Sequence, residues 1–271
     1  MTSFDDTHVP DYFARMRLDG KGMVILGAGR GIGRQIAHAL AQAGARLLCV
    51  DRDSPSAQKI SEEVGGIPFS ADVTSRANMQ KVFDFAAREL ERPHGIVDVV
   101  GRVHLAPIEA IDDDAYNRQA EIVFRHAWLA IQFGAPWLAA AGGGAITFVG
   151  SLSGITAAPN QSLYGAQKAA LHHLARCAAV EYGPKGVRVN TVAPGPTRTP
   201  RFIELMEPIL PEIESTIPLR RSAAPADVAS VVLFLSGDLA RHVTAQTIAI
   251  DGGATSTILR AASQTRVGQP G

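Results

Sequence analysis

Short apolar runs with little or no charge alternate along this chain with longer stretches in which apolar residues recur at helical spacing. Residues 23–26, 46–50, 67–70, 95–100, 145–149, 187–192 and 247–250 read as strands. Runs of that kind suit strands covered on both faces, as in a parallel sheet between two helical layers. Residues 32–43, 75–90, 113–140, 162–181 and 225–235 have helical length and periodicity between them. The alternation predicts an α/β fold, a doubly wound, mostly parallel sheet flanked by helices on both faces. No linker or internal repeat divides it, so residues 21–259 are expected to form a single domain. Residues 1–20 read as an N-terminal extension and 260–271 as a flexible tail.

Composition narrows the class. Of 271 residues, 46% are hydrophobic, enough for a large core, and no apolar run approaches the ~18 residues of a membrane span. Lys plus Arg number 26 and Asp plus Glu 26, a balance that argues against a nucleic-acid-binding surface. Cys49 and Cys177 are too few for a disulfide scaffold and fit a reducing compartment. The start of the chain lacks signal-peptide architecture, so a cytoplasmic location is expected. His172 and His173 are adjacent and so point to different helix faces. No metal-binding motif accompanies them, and no metal is expected.

Two places carry candidate chemistry. The first strand runs into Gly27-Ala28-Gly29-Arg30-Gly31-Ile32-Gly33 and then an alanine-rich helix. Glycines there let the backbone turn sharply and approach a pyrophosphate, which the helix N-terminus attracts. The spacing that fits is Gly27, Gly31, Gly33. Asp51, ending the second strand, is placed to accept hydrogen bonds from ribose hydroxyls and to repel a 2′-phosphate, so NAD is favoured over NADP. Arg30 and Arg52 speak for the phosphate. Asp72-Val73, after the third strand, would lie beside the adenine or cap a helix.

The second place is Tyr164 and Lys168, four apart and so on one helix face, roughly 6 Å from each other. A phenol near pKa 10 needs a drop of about 3 units, roughly 4 kcal/mol, to act as a base at neutral pH. One ammonium about 4 Å away supplies a contribution of that size at an effective dielectric of about 20. Asn160, Gln161 and Ser162 read as the helix start, which puts Tyr164 in the first turn, where the helix dipole favours an anion.

From about residue 21 to 253 the chain resembles the short-chain dehydrogenase/reductase family. The resemblance rests on the glycine pattern, Asp51, Asp72-Val73, Ser151 ahead of Tyr164-Gly165-Ala166-Gln167-Lys168, Pro194-Gly195-Pro196-Thr197-Arg198-Thr199 and Ile250-Asp251-Gly252-Gly253. It implies hydride transfer between a nicotinamide and a secondary alcohol or ketone. Tyr164 would be the general base, Lys168 would lower its pKa and hold the nicotinamide ribose, and Ser151 would steady the substrate oxygen. Cofactor contacts are implied for Gly27, Arg30, Gly31, Ile32, Gly33, Asp51, Asp72, Val73, Gly101, Tyr164, Lys168, Pro194, Gly195, Thr197 and Thr199. Helix pairing in this family implies a homotetramer, with a dimer as the alternative.

Several positions depart from the family. Its Asn-Asn-Ala-Gly aligns with Asp98-Val99-Val100-Gly101, and its proton-relay asparagine aligns with Val123. Either the relay runs differently or turnover is slow. Residues 200–224 read as a proline-broken apolar lid over a hydrophobic substrate, or as packing against the body or a neighbouring subunit. Phe202, Met206, Ser153 and His104 are candidates for the substrate pocket. The expected activity is NAD-dependent oxidation of a hydrophobic secondary alcohol or reduction of its ketone. The alternatives are an NADPH-dependent 3-oxoacyl-type reductase and a non-catalytic nucleotide sensor.

Overall fold

The computed structural model describes residue 7 and residues 9–256; the expected tail 260–271 lies outside the described residues. Strands β1 (Gly22–Leu26), β2 (Arg46–Asp51), β3 (Ile67–Ser70), β4 (Pro93–Asp98), β5 (Gly144–Val149), β6 (Val187–Pro194) and β7 (Thr247–Ile250) pair in parallel. Their order across the sheet is β3-β2-β1-β4-β5-β6-β7. The winding direction therefore reverses between β1 and β4, which opens a crevice at the carboxyl ends of those strands. The expected doubly wound fold is the one observed.

The two strand faces feed two cores. Val24, Leu26, Leu48 and Val50 pack under α3 (Arg76–Glu89), α5 (His126–Ala140) and α6 (Ser162–Tyr182). Met23, Ile25, Leu47 and Cys49 pack under α1 (Gly31–Gln42), α2 (Ser54–Val64) and α9 (Pro225–Ser236). Each fully buried aliphatic side chain contributes about 1.5–3 kcal/mol. In the N-terminal segment, Leu18 is fully buried and its amide donates to the Ala43 carbonyl at 2.7 Å, so the chain at Leu18 is docked on the body before β1 begins.

The helix expected over 113–140 is interrupted. It comprises α4 (Asp113–Ala120), a π-helical turn at Glu121–Arg125, and α5. Such turns insert one extra residue into the helix and re-aim the side chains that follow. Val123 in the turn is fully buried, and so is His126 just beyond it. Residues 200–224 form α7 (Pro200–Met206), a 3₁₀ turn at Glu207–Ile209 and α8 (Leu210–Thr216), with prolines in or near the first turn of each piece.

Candidate active site

The loop after β1 begins with Gly27 at φ +86, a conformation suited to glycine. Within α1, a Cβ on Gly33 would lie 1.9 Å from the Gly27 carbonyl oxygen, so only glycine lets helix and loop approach this closely. A Cβ on Gly29 would lie 2.7 Å from Asp51 Oδ2 and 2.6 Å from Ser56 Cβ. The sequence pattern passed over Gly29, yet its amide donates to Asp51 Oδ2 at 2.9 Å and ties the loop to β2. Arg30 N-caps α1 without a side-chain hydrogen bond, which leaves the first-turn amides available to an anion.

Asp51 Oδ1 also accepts from the Asp53 amide at 3.1 Å. Gly27, Arg30, Asp51, Arg52, Asp72, Val73 and Gly101 line one recess of about 270 Å³ at the crevice. Asp72 additionally accepts from the Thr74 amide and hydroxyl, at 3.0 and 2.7 Å, and so shapes the turn into α3.

A second, adjoining cavity of about 470 Å³ carries the proton-transfer residues. Ser151, Tyr164 and Lys168 line it with Ile32, Pro194, Gly195, Thr197 and Thr199, and with Phe202, Leu205 and Met206 from α7. Ser151 follows β5, and Tyr164 lies in the first turn of α6. Thr199 caps α7 by accepting from the Phe202 amide at 3.2 Å, while the Thr197 hydroxyl donates to the Gly195 carbonyl at 2.9 Å. Ser153 donates to Gln161 Oε1 at 2.5 Å, which adds Gln161 to the wall. His104 stands apart from Tyr164. It lines a neighbouring recess with Arg102, Arg118, Gln119 and Arg201.

The electrostatics differ from the sequence expectation. Lys168 Nζ lies 5.8 Å from the Tyr164 ring centroid but donates to the Val149 carbonyl at 2.8 Å. In this arrangement burial holds the Tyr164 phenol above its ordinary value, opposed by a hydrogen bond with Ser151. The expected lowering by Lys168 is absent because the ammonium is directed at a backbone oxygen and is itself desolvated. Burial pushes Lys168 down to about 8, with the Asp98 carboxylate acting in the opposite direction.

His172, which the sequence offered only as half of a histidine pair, sits directly behind Ser151. A Cβ on Gly150 would lie 2.3 Å from its Nε2 and one on Gly154 2.6 Å from its Cε1, so both glycines make room for the ring. Nε2 faces the Ser151 amide at 3.5 Å. Burial pushes the imidazole down to about 4, with the Lys168 and Arg176 charges adding to the effect. His172 is therefore a neutral acceptor at physiological pH. The glycines at 150 and 154 were the available signal for it.

Among the described residues no group of His, Cys, Asp and Glu is arranged to hold a metal ion. Nor is any helix among them long and apolar enough to cross a membrane.

Comparison with known proteins agrees with this architecture. The family model described as Enoyl-(Acyl carrier protein) reductase matches residues 27–255. Galactitol 2-dehydrogenase (L-tagatose-forming) of Cereibacter sphaeroides is 36% identical over 258 residues, 90% of this chain and 99% of that protein. A solved 7α-hydroxysteroid dehydrogenase complexed with NADH and 7-oxo glycochenodeoxycholic acid superposes with a TM-score of 0.84. It is 32% identical and covers 90% of this chain and 98% of its own. A gluconate 5-dehydrogenase of Burkholderia cenocepacia J2315, in complex with NADP and tartrate, gives 0.86 at 25% identity, covering 92% and 100%. The chain belongs to the short-chain dehydrogenase/reductase family. It is an NAD(P)-dependent oxidoreductase acting on CH–OH donors.

Proposed function

We propose that this enzyme interconverts a hydrophobic secondary alcohol and its ketone with NAD. The observation that carries the reading is the single cavity in which Ser151, Tyr164 and Lys168 meet the Pro194–Thr199 turn and the apolar side chains of α7. Its lining joins apolar side chains (Val99, Val103, Leu152, Phe202, Leu205 and Met206) to the polar groups of Ser151, Ser153, Gln161, Tyr164 and Lys168 and to Arg102 and Arg201, an apolar pocket with placed polar groups as small-molecule sites commonly are.

The residues present suit a dinucleotide. Uncapped amides at the start of α1 would hold the pyrophosphate, Asp51 the adenosine ribose, and Lys168 with Thr197 or Thr199 the nicotinamide half. When bound, the nicotinamide would supply the hydride acceptor or donor. In oxidation, Tyr164 accepts the substrate hydroxyl proton. The Ser151 hydroxyl donates to the substrate oxygen and stabilises its developing charge. His172 holds the Ser151 backbone in place from behind, and Phe202 and Met206 exclude water from above.

Asp51 favours NAD, since a 2′-phosphate there would meet a carboxylate. Arg30 and Arg52 line the same recess, and this observation supports the second reading, an NADPH-dependent reductase. Comparing Kd for NADH and NADPH separates them. NADH is expected to bind more tightly, and Asp51→Ala should narrow the ratio about tenfold or more. Tighter NADPH binding by the wild type would reject the assignment. For assembly, α4, α5 and α6 are proposed as subunit contacts, a tetramer first and a dimer next. Trp128 at 50% and Val180 at 74% exposure support this.

A further inference from the structure

Lys168 is an ammonium with 2% of its surface exposed and a neutral carbonyl, that of Val149, as its hydrogen-bond acceptor. A charge so buried is stable only beside an opposite charge. The chain that follows β4 runs along it: a Cβ on Gly101 would lie 3.2 Å from Lys168 Nζ. At the start of that segment stands Asp98, itself 2% exposed.

Asp98 is firmly held. Its Oδ1 accepts from the Val100 amide at 3.0 Å, and His126 Nε2 lies 3.1 Å from each carboxylate oxygen. An ionised carboxylate only accepts, so that contact requires the proton on Nε2. His126 is 1% exposed and reaches Asp98 from the first position of α5, directly after the π turn. Asp98 Oδ2 and His126 Nδ1 have no hydrogen-bond partner. Such a pair is costly in a core, and apolar residues of like volume would be more stable.

We propose that Asp98, fixed by His126, is the counter-charge that keeps Lys168 an ammonium, which makes the two a positioning pair for the Tyr164–Lys168 device. The ionisable groups around Lys168 are Tyr164 and His172 on its own helix, Asp98 at the end of β4 with His126 from α5 behind it, and Arg102 and Arg201, which line the same cavity. Of these, Asp98 is the one carboxylate, and its partner across the sheet is Phe148, the residue before the Val149 whose carbonyl accepts from Lys168. The catalytic consequence rests on the function proposed above; the charge state does not.

The test is nuclear magnetic resonance of the full chain labelled with carbon-13 at lysine Cε, with the Lys168 signal assigned by its loss in Lys168→Met. The expected wild-type midpoint is about 8. Asp98→Asn should lower it by about one unit or more, as loss of an opposite charge inside the core does. His126→Leu should also lower it, whereas His126→Gln, which retains an N–H donor, should stay near the wild type. An unchanged midpoint in a folded Asp98→Asn or His126→Leu protein overturns the proposal. Should neither variant fold, a wild-type midpoint below about 6 overturns it and one near 8 supports it. An enzyme that turns over no alcohol would reject the functional reading and leave this titration as it stands.

Discussion

Replacing Lys168 by Met removes the buried charge while keeping most of the side-chain volume. Burial lowers the lysine from 10.5 to about 8 in the folded protein, whereas the unfolded chain titrates near 10.4. Between those values the unfolded state holds a proton that the folded state has released, so stability rises with pH across the window. Below about pH 8 both states are protonated and the folded protein bears the full cost of the buried ammonium. The shift of about 2.5 units corresponds to about 3 kcal/mol. Methionine has no such dependence, although it leaves the Val149 carbonyl unpaired at a cost of about 1–3 kcal/mol. Urea denaturation of wild type and Lys168→Met at pH 7 and pH 10.5 measures the difference. Relative to the variant, the wild type should gain about 3 kcal/mol on going to the higher pH. Curves that stay parallel across the range would refute the buried-ammonium argument.

Other outcomes follow from the same geometry. Gly33→Ala puts a methyl on the Gly27 carbonyl, so it should lose about 1–3 kcal/mol or more together with dinucleotide affinity, read by urea denaturation and NADH fluorescence titration. His172→Leu, which removes the acceptor behind Ser151, should lower kcat about tenfold with little change in NADH affinity. His172→Gln should retain most of the activity, and equal effects of the two would reject the positioning role. Because the folded imidazole titrates near 4, the unfolded chain binds the proton first as pH falls from about 6.5. Wild type should therefore lose stability in that window while His172→Gln loses less, read by urea denaturation at pH 7 and pH 5.

Much of this was legible in the chain. The apolar runs placed every strand to within two residues at each end, because parallel strands buried on both faces need unbroken apolar sequence. Helix α2 was missed. Its apolar face is little more than Ala57 and Ile60, too sparse to show a period. Its ends were nonetheless marked: Asp53 accepts from the Ser56 amide at 3.2 Å, Pro55 lies in the first turn, and Gly65 closes the helix at φ +65. Those cap signals outlast a weak periodicity.

The site was legible where chemistry follows spacing along the chain and illegible where it follows contact across it. Tyr164, Lys168 and the glycine loop announce themselves locally. The Asp98–His126 pair joins residues 28 positions apart through a π turn, and neither partner's neighbours signal the other. Likewise the direction of Lys168 toward Val149 is set by packing. Spacing alone therefore gave a lowered phenol pKa, where burial in this arrangement raises it.

The central claim is that Tyr164 moves the proton in the cavity it shares with Ser151 and Lys168. Tyr164→Phe removes that oxygen and little else, so the decisive measurement is its kcat for oxidation of a secondary alcohol beside its Kd for NADH. A fall in kcat of about 10²–10⁴-fold with Kd nearly unchanged is the predicted result. Turnover within a few-fold of wild type would contradict the account.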